Sequence, residues 1–326
     1  MKGILKVAVC HGSTIKASWE CPQRIEHWGD WVPALREAIH HTGFTGSDVT
    51  VVLDHRHLVY HLQETPPGKP GALRPLLQRQ ISQGRFFEEE ATWSHHAPVP
   101  SKTKQRFLLT LLPRSVMTEL NGVCAELGWT LIGVYSPAAV LARQFKCLPL
   151  KPHEAALLAT DLEGSLCLVA GLGNGSILFC RLISGATSQN QDHAAQEINR
   201  TALFIQQKFG HPIHHLWIFG QQTFTALSKL NIREGMAIHP SPVQESPFYL
   251  NNVCANLSPL DSVNLVSSQE TRRRRFRRSL ALACGCLLLS GLAATTLIHR
   301  AVQARSSDQI QPTQDSNQLS NPLPPP

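Results

Sequence analysis

Between Ser279 and Ile298 the chain carries no charged side chain, and six arginines crowd just before it, at Arg272, Arg273, Arg274, Arg275, Arg277 and Arg278. At about 1.5 Å of rise per residue, a helix of this length covers roughly 30 Å, the hydrocarbon thickness of a bilayer. A helix buried in a protein core would carry polar positions along one face, and this run has only Ser290, Thr295 and Thr296. Residues 279–298 are therefore expected to form one transmembrane helix. Positive charge is retained on the cytoplasmic side of a membrane, so the long segment before the arginines is expected inside and the short segment after Ile298 outside. Anionic lipid would be attracted to the same arginines.

That charge cluster also explains the balance of the whole chain. The formal net charge is +7, and setting the six arginines aside leaves +1. A nucleic-acid surface would interleave aromatics with its basic residues, and this run offers only Phe276, so no nucleic-acid partner is expected. The nine cysteines are odd in number and scattered; most fall on the side assigned to the cytoplasm, where thiols stay reduced. The pairs His40–His41, His95–His96 and His214–His215 invite a metal reading. Neighbours on a strand point to opposite faces, so such a pair seldom ligates one ion, and no metal site is expected. No GxSxG elbow marks a nucleophile, and no catalytic residue is assigned.

The 260 residues or so before the juxtamembrane stretch are enough for one large domain or two lobes. "ILKVAVC" (Ile4–Cys10) reads as a strand ending in the turn "HGST", and Trp28, Trp31, Leu35 and Ile39 follow at helical spacing. "VTVVLD" and "HLVYHL" read as strands, "TPPGKPG" as a loop, and Leu73–Ser82 as a helix. "ATWSHHAPV" and "QRFLLTLLP" are two further strands, before a helix over Ser115–Leu127, the strand "WTLIGV" and a short helix near Pro137. The second half restarts with three strands in quick succession, Ala155–Asp161, Ser165–Gly171 and Ser176–Ile183. A long helix over Asp192–Phe209, the strand "IHHLWIFG" and another helix complete it. Hairpins followed by alternating helices and strands, twice over, predict an α/β fold of two related lobes. "GLGNGS" (Gly171–Ser176) has the glycines of a phosphate loop but joins two strands, and Asn174–Gly175 is a hairpin signal, so a turn is expected there.

This order of elements, with a small inserted subdomain, resembles the actin-like PilM type of type IV pilus assembly and the membrane-anchored GspL type of type II secretion. The resemblance implies a two-lobed, actin-like (ribonuclease-H-like) domain over 1–260. "VNLVSSQETRRRRFRR" (Val263–Arg278) resembles the short cytoplasmic leader and arginine run of PilN, which docks onto PilM. By that resemblance Val263, Asn264 and Leu265 are partner-binding residues within a juxtamembrane segment 261–278, docking either within the chain or between copies. The function implied is a non-catalytic scaffold in a bacterial inner membrane, with a cytoplasmic domain and a periplasmic tail. Its partners would be a motor ATPase and the membrane proteins of the assembly platform. The alternatives are an ATP-binding enzyme of the actin/sugar-kinase class and a membrane-tethered regulator that binds nucleic acid.

The loops that hold nucleotide in such folds are reduced here. The first keeps Gly12, Ser13, Thr14 and Lys16, but Cys10 and His11 stand near the place of its acid. The second keeps Asp161 and Gly164 around an inserted Glu163, and the third has Gly220 alone. Cys or His cannot replace a carboxylate that positions a metal-bound water. These glycines are expected to serve turns, with no cofactor and no ATP turnover. The segment 299–326 is polar, rich in proline and too short to fold alone. Within the span, Cys286, Ser290 and Ala294 recur every fourth residue, as do Ala281 and Gly285. Small residues on one helix face allow close packing in lipid, so self-association or partner packing is expected there.

Overall fold

The computed structural model describes residues 4–266 apart from short stretches at 13, 69, 101–103, 163–164, 185–189, 228–231, 233–234, 242–248, 256 and 259–260. The chain divides into two compact units, Met1–Thr271 and Arg272–Pro326, and every described residue lies in the first. Among the described residues no helix is long and apolar enough to cross a membrane. The span expected at 279–298, its packing positions Ala281, Gly285, Cys286, Ser290 and Ala294, and the tail 299–326 lie outside the described residues.

The elements in chain order begin with β1 (Lys6–His11), β2 (Thr14–Glu20), α1 (Trp31–Thr42), β3 (Asp48–Val52) and β4 (Val59–Thr65). Then come α2 (Pro70–Gly84), β5 (Ala91–His95), β6 (Val99–Pro100), β7 (Gln105–Pro113), α3 (Arg114–Glu126), β8 (Thr130–Tyr135) and α4 (Pro137–Ala142). The second half holds β9 (Ala155–Leu162), β10 (Ser165–Leu172), β11 (Ile177–Ser184), α5 (Gln191–Phe209) and β12 (Ile213–Phe219). It ends with α6 (Gln221–Leu227), β13 (Ala237–Pro240) and α7 (Tyr249–Ala255).

The second half builds one five-stranded sheet in the order β11-β10-β9-β12-β13. The first three strands are antiparallel, and β12 and β13 join in parallel. Near-continuous apolar runs in β9 and β10 are what a strand covered on both faces requires. Leu157 and Ala159 on one face meet Ala194, Ile198, Ala202 and Ile205 of α5. Ala156 and Leu158, alternating with them, meet Ala138 and Leu141 of α4 and Phe145 just beyond it. The β10–β11 connection is a turn: Gly175 sits at φ 88°, and the Asn174 carboxamide accepts from the Ser176 N–H at 2.9 Å. A Cβ at Gly173 would strike the Lys151 carbonyl, so the glycines of "GLGNG" answer to packing and the turn.

The first half repeats the order of elements but not the single sheet. Among the described residues β1 and β2 pair only with each other, and β3 pairs in parallel with β8. The inserted subdomain carries β4-β7-β5, with β6 also on β7. Helix α2 covers one face of that sheet, burying Leu77 and Ile81 against Trp93, Phe107, Leu109 and Leu111. Strand β2, whose outward positions Lys16, Ser18 and Glu20 alternate with half-buried ones, is not anticipated by the sequence reading. Nor are β13, which pairs with β12, and α7, which packs against β3, β1 and α4.

Candidate functional site

Successive residues of a strand offer their backbone groups to opposite edges. In β8, Tyr135 turns toward the β3 side, its carbonyl accepting from the Leu53 N–H at 2.8 Å. Ile132 and Val134 turn the other way, and the segment 261–266 of the same chain takes that second edge. The Leu265 N–H donates to the Val134 carbonyl at 2.9 Å. The Asn264 side chain does the rest: its Oδ1 accepts from Val134 N–H at 2.9 Å, and its Nδ2 donates to the Ile132 carbonyl at 3.1 Å. The same Oδ1 also accepts from the Val266 N–H at 3.0 Å. A carboxamide supplies an acceptor with two lone pairs and a donor in one plane, which neither a carboxylate nor an aliphatic side chain can do.

Both flanks hold the segment as well. The His95 N–H, at the end of β5, donates to the Ser262 carbonyl at 3.0 Å, and the Tyr135 hydroxyl donates to the Ser258 carbonyl at 3.0 Å. Asp261 pairs with Arg143, just after α4. Leu265 and Val266 are buried among Leu53, Leu58, Leu112, Leu131 and Val134, while Val263 packs toward Tyr135, Val140 and Cys254. Each large apolar side chain so buried contributes about 1.5–3 kcal/mol relative to exposure. The three residues singled out in sequence thus meet in one groove of this chain. The receiving side was not legible: nothing in "WTLIGV" marks which edge of that strand stays open.

Titratable groups here are tuned by burial. His96 follows the strand that holds Ser262, and burial first, then His95 and Arg143, lower its pKa to about 4. Its Nε2 has no hydrogen-bond partner among the described residues. Burial thus favours the neutral ring.

The loops read as remnants of a nucleotide site are arranged differently. Gly12 stands at the tip of the β1–β2 hairpin at φ 59°, where His11 pairs with Thr14, and both Thr14 and Lys16 are exposed. A two-residue hairpin turn demands this conformation without any ligand. Cys10 is a neutral thiol whose pKa burial pushes up, so no negative charge stands in for the missing acid. Asp161 and Gly220 do come together: Thr160 of β9 pairs with Phe219 of β12, which sets them abreast at the carboxyl ends of two parallel strands. Open α/β sheets place ligands at such ends. Gly220, at φ 102°, starts α6 by accepting from the Phe224 N–H at 2.7 Å, and a Cβ there would lie 2.8 Å from Thr223 Oγ1. Ser13, Glu163 and Gly164 lie outside the described residues. Among the described residues no group of three or more His, Cys, Asp or Glu side chains could hold a metal ion. Of the histidine pairs, His215 bonds to Glu154 at 3.2 Å and to His239 at 3.0 Å.

With these elements in place, the class is clear: an actin-like α/β domain with a small inserted subdomain. One chain of a PilM–PilN type IV pilus biogenesis complex superposes with a TM-score of 0.56 at 14% identity, over 78% of this chain and 92% of that one. The cytoplasmic domain of EpsL, an inner-membrane component of the type II secretion system of Vibrio cholerae, gives 0.48 at 14% identity, over 78% and 87%. A Bacteroides thetaiotaomicron protein with an actin-like ATPase fold and unknown function gives 0.41 at 10%, over 73% and 86%. No family model matches the sequence, and no curated protein does. The chain has the PilM-type actin-like fold.

Proposed function

We propose that this chain is a non-catalytic scaffold of a type IV pilus or type II secretion assembly platform at a bacterial inner membrane. Its actin-like domain would engage cytoplasmic motor components, and the run at 279–298 would connect them to membrane and periplasmic partners. The observation that supports this reading most is the groove along β8, filled by the segment that leads directly to the arginines. A domain tied by Asn264, Leu265 and Val266 to the stem of a membrane anchor is built to hold position. The reduced loops support the non-catalytic part, since Gly12 and Gly220 each have a conformational role in the hairpin and the helix start.

Deletion in the native host, with complementation by the wild type or by Asp161→Ala, tests the proposal. Loss of pili or of secretion on deletion, fully restored by both forms, is expected. Restoration by the wild type alone would favour an enzyme using Asp161 as its metal-side carboxylate. Normal pili and secretion on deletion would remove the platform from the proposal.

A further inference from the structure

Helix α5 packs one face on the five-stranded sheet and turns the other outward. On that outer face Leu203 and Phe204 are 47% and 36% exposed, although they adjoin the fully buried Thr201 and Ala202. They do not stand alone. The Phe204 ring lies 4.8 Å from Phe179 on β11 and 6.3 Å from Phe209, and the Arg106 guanidinium lies 5.2 Å from the Phe209 ring. An aromatic strip thus runs from the sheet's edge strand along the helix to its last turn. Exposed apolar side chains rimmed by polar groups are the material of contact sites, where aromatic and arginine side chains carry most of the energy.

The rim is mostly cationic. Arg200 and Lys208 stand one turn before and one turn after Phe204, on the same face of the helix. Arg200 and Arg181 share the buried carboxylate of Glu197. Lys104, Arg106 and Lys208 share Glu64, which they hold down to about 2, Lys104 foremost. Five cationic side chains are therefore set against two carboxylates, a surplus of three positive charges around the strip.

We infer that the outer face of α5 docks an acidic amphipathic segment of a partner protein. Its apolar side would cover Leu203 and Phe204, and its carboxylates would meet Arg200, Lys208 and Lys104. Charge complementarity selects this occupant. Carboxylates spaced by helix turns can reach the cations beside Phe204 while the apolar side of the same segment covers the exposed side chains, whereas a line of phosphates offers nothing apolar to cover them. This surface is independent of the leader groove and of the platform role.

The test uses the full chain in neutral phosphatidylcholine nanodiscs. The probe is a fluorescent 18-residue helical peptide with leucine on one face and glutamate on the other. Micromolar binding that falls with salt is expected. Leu203→Ser with Phe204→Ser should raise Kd at least tenfold, and Lys208→Gln, which leaves the core untouched, should raise it severalfold. The same peptide with lysine for glutamate should bind at least tenfold more weakly. Equal binding of the two peptides, no binding of the acidic one, or undiminished binding by the serine variant would overturn the inference. So would anionic vesicles or duplex DNA that bind the wild type more tightly than the acidic peptide and lose that binding in the serine variant.

Discussion

The groove along β8 and the loops around Gly12, Asp161 and Gly220 both look like binding sites in sequence, and the fold treats them differently. In the groove, the open edge of a strand meets a segment whose backbone and one carboxamide answer its hydrogen-bonding groups, and two apolar side chains close the contact. At the loops, two positive-φ glycines and one carboxylate remain, and the glycines already serve a hairpin and a helix start. Backbone pairing with apolar burial is complete without any ligand. A phosphate site needs oriented donors and a metal-side acid, and losing one part leaves only a turn. The first region is thus a finished internal contact, and the second is a pair of turn glycines on separate elements with one carboxylate beside the second.

Breaking the groove should cost the most. Leu265→Ala removes a side chain that is 2% exposed, and a loss of about 2–5 kcal/mol in unfolding by urea is expected. A loss below 1 kcal/mol by the same measurement would mean that the segment rests on the domain without supporting it.

Acid should open the same region. His96 titrates near 6.5 when unfolded and at about 4 when folded. Between those values the unfolded chain holds the extra proton, so stability is complete above pH 6.5 and falls as the pH drops toward 4, by roughly 3 kcal/mol from this group. His55, lowered to about 4 by burial and by His57 and Arg56, adds a fall of the same sign. Urea unfolding at a series of pH values checks this, and His96→Gln should flatten the slope. An unchanged slope would place the acid sensitivity elsewhere.

Asn264→Ala should cost about 1–3 kcal/mol, because the Val134 N–H and the Ile132 carbonyl lose their partner in a buried setting. Hydrogen exchange at Val134 should accelerate most. Asn264→Asp should rescue little, since a carboxylate restores the acceptor but opposes the Ile132 carbonyl.

In the loops the effects should be small. Gly12→Ala should lower stability by about 1 kcal/mol, since an added Cβ meets nothing within 4 Å and only the left-handed backbone opposes it. Asp161→Ala should leave magnesium-ATP calorimetry and phosphate release at the wild-type baseline. Turnover in the wild type that this change abolishes would reverse the comparison and make the loops the working site.

The two halves show where sequence reading succeeds and where it stops. Much of the element order was legible, because apolar runs such as "AALLAT" and the spacing of α5 answer to their own periodicity. Strand β2 was not, since its half-buried alternation with lysine, serine and glutamate carries a weak apolar signal. Strand β13, "AIHP", has no signal of its own and exists because β12 offers it an edge. For the candidate site, the resemblance to the PilN leader and its place before the arginines picked out Val263, Asn264 and Leu265, and Asp261, Arg143 and Ile132 passed unnoticed.

By itself the sequence determined the long buried strands, the Asn174–Gly175 turn and the long helix ending at Phe209. These follow from hydrophobic period and from local backbone preference, which act over a few neighbouring residues. Only the tertiary structure decided that residues 261–266 pack along β8 of their own domain and that Asp161 and Gly220 lie abreast while Gly12 tips a separate hairpin. It alone also left Leu203 and Phe204 uncovered within a cationic rim. An open strand edge, a parallel register and an uncovered helix face are relations between distant segments, and no residue carries them until the chain has packed.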